Sequence, residues 1–193
     1  SIGEVRTILD RSLKRLKLID ESFEGRIGTL FSNQANIEAC LRVADAVIGA
    51  VLIPGAAAPK VVTRSMLSLM RAGSVLVDVA IDQGGCFETS RPTTHESPTY
   101  VVDGINHYCV TNMPGAAART STQALTNATL PFVMALANKG CEAALTADPH
   151  LLNGLNIHRG VLTSAAVGKA LELATVLPNH ALSTRPLASA CSH

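Results

Sequence analysis

Apolar residues recur along this chain in two rhythms: short continuous runs of Val, Ile and Leu, and stretches where Leu returns every three or four positions. "VRTILD" (5–10) reads as a strand ending on Asp10, and "RSLKRLKLIDESF" places Leu13, Leu16 and Leu18/Ile19 at helical spacing. "IGTLFS" (27–32) repeats the strand signal. "NQANIEACLRVA" (33–44) repeats the helical one behind a Ser32 or Asn33 cap, and "DAVIGAVLI" (45–53) is a strongly apolar strand. A "PGAAAP" loop (54–59) punctuates that strand, and the pattern then predicts a short helix over 61–70 that Gly73 ends.

The next strand, "SVLVDVAI" (74–81), stops on Asp82, Gln83, Gly84 and Gly85. Two β-rich pieces, 99–104 and 106–112, flank a glycine turn. Residues 121–140 read as one long helix with Pro131 inside it, where a kink or break is expected. From 141 onward short helical pieces are separated by Pro149, Gly154, Gly160 and Pro178, and an irregular tail is expected from about 178.

Alternating strands and helices with short loops predict the α/β class: a Rossmann-type, doubly wound parallel sheet followed by C-terminal helices. The expected organisation is a partial dinucleotide-binding domain over 1–120, an interdomain helix over 121–140 and a helical segment over 141–193. Ligands of such sheets bind beyond the carboxyl ends of the strands. The polar residues placed there are Asp10, Ser32, the 54–59 loop, Asp82 to Gly85, and Thr111 with Asn112.

Composition narrows the partners. The chain has 193 residues, 47% apolar, 16% charged and 3% aromatic, with a formal charge of +1, so a packed globular core is expected and no basic stripe invites nucleic acid. The cluster Arg11, Lys14, Arg15 and Lys17 reads as the solvated face of a helix. Five widely spaced cysteines form no CxxC pair and the six histidines show no ligand spacing, so no disulfide framework or metal site is expected. No run reaches the length of a membrane helix, and a cytoplasmic location is the expectation.

Asp10 ends a strand and precedes a helix, where dinucleotide-binding folds place an acid on the adenine ribose; a plain helix cap is the other reading. Asp82 lies at the mouth of a buried strand with two glycines behind it. It can meet a substrate amine or a proton-transfer network there, or it is a turn aspartate satisfied by backbone amides.

Three segments, "IGAVLIPGAAAPKVV" (48–62), "VDVAIDQGGCFETSRPTT" (77–94) and "VTNMPGAAARTSTQALTNATLPF" (110–132), together resemble the carboxyl-terminal half of the alanine dehydrogenases. The membrane transhydrogenase nucleotide domain is similar, with Glu-Ala expected in place of Asp82-Gln83. The resemblance implies NAD as cofactor and the interconversion of L-alanine with pyruvate and ammonia, a hydride passing between the alanine α-carbon and the nicotinamide through an imine. It makes Asp82 the catalytic carboxylate, Asp10 the ribose ligand with Arg15 near it, and Ser32 a neighbour of the adenine.

It also places Val51, Leu52, Val79, Ala80 and Ile81 along the cofactor, has Arg91 reach it, and closes that wall with Val110, Thr111, Asn112 and Met113. Thr120 and Thr122 would cap the long helix, and the assembly would be a homo-oligomer, a hexamer by resemblance. The glycine loop, the first strand, the substrate-gripping Lys and Arg and the catalytic His of that family are not in these 193 residues. Deleting the first strand removes a central row of hydrogen bonds, so the sheet is expected to fold poorly or close differently. A non-catalytic nucleotide-binding remnant and a transhydrogenase nucleotide domain are the alternative readings.

Overall fold

The computed structural model describes residues 6–51, 53 and 57–183. Leu52, residues 54–56 of the 54–59 loop and the end of the expected tail lie outside the described residues. The chain divides into two compact units, residues 1–52 with 57–113, and residues 53–56 with 114–193.

The first unit begins with β1 (Thr7–Asp10), α1 (Leu13–Phe23) and β2 (Gly28–Phe31). β1 and β2 pair in parallel from Thr7 opposite Gly28 to Asp10 opposite Phe31. The hydroxyl of Ser12 accepts the Arg15 N–H at 3.3 Å and starts α1, so Ser12 and not Asp10 is its cap. Asn33 caps α2 (Gln34–Leu41) by accepting the Asn36 N–H at 2.8 Å.

β3 (Ala46–Gly49), β4 (Val75–Asp78), β5 (Thr99–Val102) and β6 (Ile105–Tyr108) form one sheet in the order β3-β4-β6-β5. The first three strands of that order are parallel, and β5 folds back antiparallel along β6 as an edge. The hairpin exists because Asp103 and Gly104, at φ 50° and 80°, make the tight turn that a crossover would not need. Leu41, Val62, Leu67, Leu76, Phe87 and Ile105 fill the core beneath this sheet.

The parallel sheet is in two pieces. Among the described residues β1 pairs only with β2, and β3 pairs with β4 on one side only. Ile48, on β3, is 69% exposed, an unusual place for an apolar residue of a parallel strand.

Three local expectations change. The strand read over 74–81 ends at Asp78, and Asp82 sits instead in a 3-10 turn spanning Ile81–Gln83. The Asp78 carboxylate takes the Ala80 N–H at 3.0 Å, which bends the chain out of the strand two residues later. The helix read over 61–70 is a 3-10 turn, Ser65–Leu69, because Val62 is held extended by a parallel bridge to Phe87.

The second unit opens on α3 (Ala118–Lys139), which runs through Pro131 as one helix. Thr120 and Thr122 lie inside its first turns and cap nothing, since the helix starts at Ala118. α4 (Cys141–Ala147) and α5 (Pro149–Leu152) follow, the latter capped by Asp148 through the N–H groups of His150 and Leu151. A small hairpin, β7 (Ile157–His158) and β8 (Val161–Leu162), is an element the sequence pattern does not announce. α6 (Ala165–Leu171) precedes α7 (Pro178–Ser183), which stands where an irregular tail is expected. In this unit Arg159 bonds Glu142 at 2.7 Å, tying the hairpin to α4.

Gly49 is required by close approach: a Cβ there would sit 2.3 Å from the Cys86 sulfur and 2.6 Å from Phe87 Cζ. Both neighbours are fully buried and have no room to yield. Gly49→Ala is expected to cost about 1–3 kcal/mol, the range for overpacking a dense core. Urea unfolding of the chain measures it, and an unchanged midpoint would mean that β3 does not lie against Cys86 and Phe87.

Candidate functional site

The group that shapes the site is Asp78, the last residue of β4, with a side chain fully shielded from solvent. Oδ1 accepts the Ala80 N–H at 3.0 Å and the Cys86 thiol at 3.4 Å. Oδ2 accepts the Cys86 N–H at 2.8 Å, the Phe87 N–H at 3.3 Å and the Ser90 hydroxyl at 2.5 Å. A buried carboxyl group needs such donors, and here they come from both ends of the 79–87 loop and from Ser90 just beyond it. Gly85, at φ 72°, lets the chain pass: a Cβ would stand 2.8 Å from Asp78 Oδ2.

A second strap fixes the loop from outside. The carbonyls of Gln83 and Cys86 accept the N–H groups of Ala58 and Val61 at 2.9 and 2.7 Å. The carbonyls of Gly84 and Gly85 accept the Lys60 ammonium at 2.5 and 2.8 Å. Four consecutive carbonyls are thus held by the 58–61 segment. Asp82 stands exposed on this turn, and none of the described residues donates a hydrogen bond to its carboxylate. Of the two acids, Asp78 is the turn aspartate satisfied by amides, and Asp82 is exposed and carries no such bonds.

Beside the loop lies a polar cluster. Tyr100 donates to the Thr89 carbonyl at 2.9 Å and accepts the Arg91 N–H at 2.8 Å. Its ring stacks on His107, centroids 4.9 Å apart, and carries the Arg91 guanidinium 4.1 Å above its centre. His107 is fully buried, with Nδ1 2.9 Å from the Ile105 carbonyl and Nε2 2.7 Å from the Thr89 hydroxyl. Burial lowers its pKa, and so does the charge of Arg91. The Cys86 thiol moves the other way, pushed up to about 12 by burial and then by the Asp78 charge, so it stays protonated and inert at neutral pH.

At the ends of β1 and β2 a separate group assembles. Asp10 Oδ1 accepts the Ser12 N–H at 2.7 Å, Oδ2 lies 3.5 Å from the Arg15 guanidinium, and the Asp10 carbonyl accepts the Ser32 N–H at 3.0 Å. Asp10, Arg15 and Ser32 are therefore neighbours, and the Asp10 side chain keeps 27% of its surface exposed for further hydrogen bonds.

The family profile described as "Alanine dehydrogenase/PNT, C-terminal domain" matches residues 1–165. The chain belongs to this family. It is 63% identical over 172 residues to the alanine dehydrogenase of Halomonas elongata, a match covering 89% of this chain and 46% of that protein. A solved L-alanine dehydrogenase superposes with a TM-score of 0.78 at 48% identity, over 88% of this chain and 47% of that one. A transhydrogenase from Sinorhizobium meliloti reaches 0.52 at 27% identity, over 61% and 32%. The chain spans about half the length of the curated relatives it matches.

The family's expected cofactor wall is distributed unevenly. Val51 is half-buried, Val79 is exposed, and Ala80 and Ile81 are buried on the way to Asp82. Arg91 is exposed. Val110 is fully buried, so its side chain belongs to the core, where a bridge to Thr93 holds it. Thr111 and Met113 are half-buried, and Asn112, at φ 54°, presents its carbonyl to His95 Nε2 at 3.1 Å. Asp78, Lys60, Tyr100 and His107 are structural members of the site that no motif singles out. The available signals are an acid interrupting a Val run and a lone cation beside an alanine-rich loop.

Replacing Asp78 with Asn puts an amide N–H₂ where a carboxylate oxygen met two or three donors, and it is expected to destabilise the chain by about 3 kcal/mol in urea unfolding. Folded His107 resists a proton that the unfolded chain accepts near 6.5, so stability is lost as pH falls below that value. The loss of urea midpoint between pH 7 and pH 5 should therefore shrink in His107→Gln; equal losses in both proteins would remove His107 from the pH response.

Proposed function

We propose that this chain is the cofactor-binding half of an NAD-dependent alanine dehydrogenase, acting with the sequence its relatives carry in their other half. The observation that supports this best is the Asp82 carboxylate, exposed and unpaired on a turn whose main chain is fixed from two sides. The residues also suit the cofactor. Asp10 offers exposed carboxylate oxygen at a strand end, Gly84 has nothing within 4 Å of the position a Cβ would take, and Gln83 Oε1 is a buried acceptor without a donor.

In this reading Asp10 accepts the hydroxyls of the adenine ribose, Arg15 orients Asp10, and Ser32 lies towards the adenine. Val51 and the 79–81 segment form the apolar wall, Arg91 contacts the anionic part of the cofactor, and Thr111, Asn112 and Met113 close the cleft. NAD supplies the hydride acceptor. Asp82 is the catalytic residue: it hydrogen-bonds the amine of L-alanine and takes part in moving its proton as the carbon–nitrogen centre is oxidised towards pyruvate and ammonia. The strand implied by the family resemblance would take the unpaired edges of β1 and β3, joining both halves of the parallel sheet. The greater likeness to alanine dehydrogenases than to the transhydrogenase favours an amino-acid substrate over exchange between nucleotides. A homo-oligomer, hexameric in the family's manner, and a cytoplasmic location complete the proposal; no helix among the described residues is long and apolar enough to cross a membrane.

A chimera in which this chain replaces the matched 172 residues of the Halomonas elongata enzyme tests it. NADH-linked amination of pyruvate is expected, and Asp82→Asn should lower kcat about 100-fold or more while leaving the KM for NADH nearly unchanged. Wild-type turnover in that variant would remove Asp82 from its role; a chimera that folds but turns nothing over would favour a non-catalytic nucleotide module.

A further inference from the structure

We propose that Tyr100 is the positioning residue that holds Arg91 for the cofactor, an inference that rests on the assignment of Arg91 as a cofactor contact. Arg91 is exposed, and among the described residues it has no carboxylate partner. A long, unpaired cation of this kind samples many rotamers unless something restrains it. One side chain does so twice. The Tyr100 hydroxyl accepts the main-chain N–H of Arg91 at 2.8 Å, and the face of the same ring carries its guanidinium at 4.1 Å.

Tyr100 is itself restrained from three directions. Its hydroxyl donates to the Thr89 carbonyl at 2.9 Å, two residues before Arg91, and lies 3.5 Å from the Cys109 sulfur. Its ring also stacks on the His107 ring, which is pinned at both nitrogens. A ring held in place by a fixed neighbour offers a fixed negative quadrupole, so the cation above it has one preferred place. The hold consumes no formal charge. An aspartate or glutamate in the same position would fix Arg91 equally well but would neutralise it, whereas the aromatic face leaves the full positive charge for an anion. Ser90, between Thr89 and Arg91, is bonded to Asp78, so the segment carrying Arg91 is anchored to the same carboxylate that shapes the Asp82 turn.

The test is a double-substitution cycle in the chimera described above, reading the KM for NAD and kcat separately. Arg91→Ala should raise the KM for NAD about tenfold, and Tyr100→Leu about two- to fivefold, as expected for loss of a cation–π contact near the surface, with kcat at saturating NAD nearly unchanged. In the Arg91→Ala background Tyr100→Leu should add less than about twofold, because Tyr100 acts through Arg91. Tyr100→Phe, which keeps the ring and loses the hydroxyl contacts to Arg91, Thr89 and Cys109, should lie between wild type and Tyr100→Leu and covers the case in which the leucine variant does not fold. If Tyr100→Leu weakens NAD as much without Arg91 as with it, or if Tyr100→Leu and Tyr100→Phe leave the KM unchanged while Arg91→Ala raises it, the inference fails and the assignment of Arg91 stands. If Arg91→Ala leaves the KM unchanged, the assignment of Arg91 fails and the inference goes with it.

Discussion

The first unit depends on one buried carboxylate. Asp78 is shielded from water and has no cation among its bonded partners, so its two oxygens are met by five donors from residues 80 to 90. Hydrogen bonds in a region of low dielectric are strong, and the alternative, an unmet buried polar group, is costly. That asymmetry makes the loop geometry close to compulsory: any conformation that frees one of those donors also exposes the carboxylate to its desolvation penalty. The Asp82 turn, the close approach of Gly49 to Cys86 and the placement of Ser90 beside the aromatic stack all follow from satisfying the same two oxygen atoms.

The remainder of the site follows from the direction of the strands. β1 and β2 run parallel, as do β3, β4 and β6, so Asp10 and Ser32 come out together at one set of carboxyl ends and Asp78, Asp82 and residues 110–113 at another. Local turn chemistry then assigns tasks within each set. At β1 the serine takes the capping role and leaves the aspartate partly exposed; at β4 the first aspartate takes the structural role and leaves the second exposed. In both places a pair of polar residues divides support from presentation.

Much of this was legible in the sequence because strand and helix periodicities are strong from residue 7 to residue 49 and the loops there are short. Asp10, Ser32 and Asp82 are visible as polar residues at apolar strand ends. Asp78 is not, because four of its five donors lie eight to twelve residues further on, and a period-two pattern carries no information about such contacts. Its position is disguised further by Val79, Ala80 and Ile81, which prolong the apolar run although the strand has ended. Tyr100 and His107 are hidden for a similar reason: they meet only through the β5-β6 pairing, in which Tyr100 lies opposite His107. Glycine-turn signals predicted that the two segments flank a turn, but not which faces would stack. The helix read over 61–70 was outweighed by the bridge from Val62 to Phe87, and the hairpin of β7 and β8 is too short to leave a periodic trace.

The main chain of the Asp82 turn has a consequence for how the family can change. The N–H groups of Gln83, Gly84 and Gly85 bond back to Ala80 and Ile81, that of Cys86 goes to Asp78, and the carbonyls from 83 to 86 are all taken by the 58–61 strap. From Gln83 to Cys86 every main-chain N–H and carbonyl is already bonded within the protein, so that stretch meets a ligand through its side chains. The turn is therefore a fixed bracket from which the exposed Asp82 side chain projects, and a substitution at 82 changes what is presented while leaving the hydrogen bonds beneath it in place.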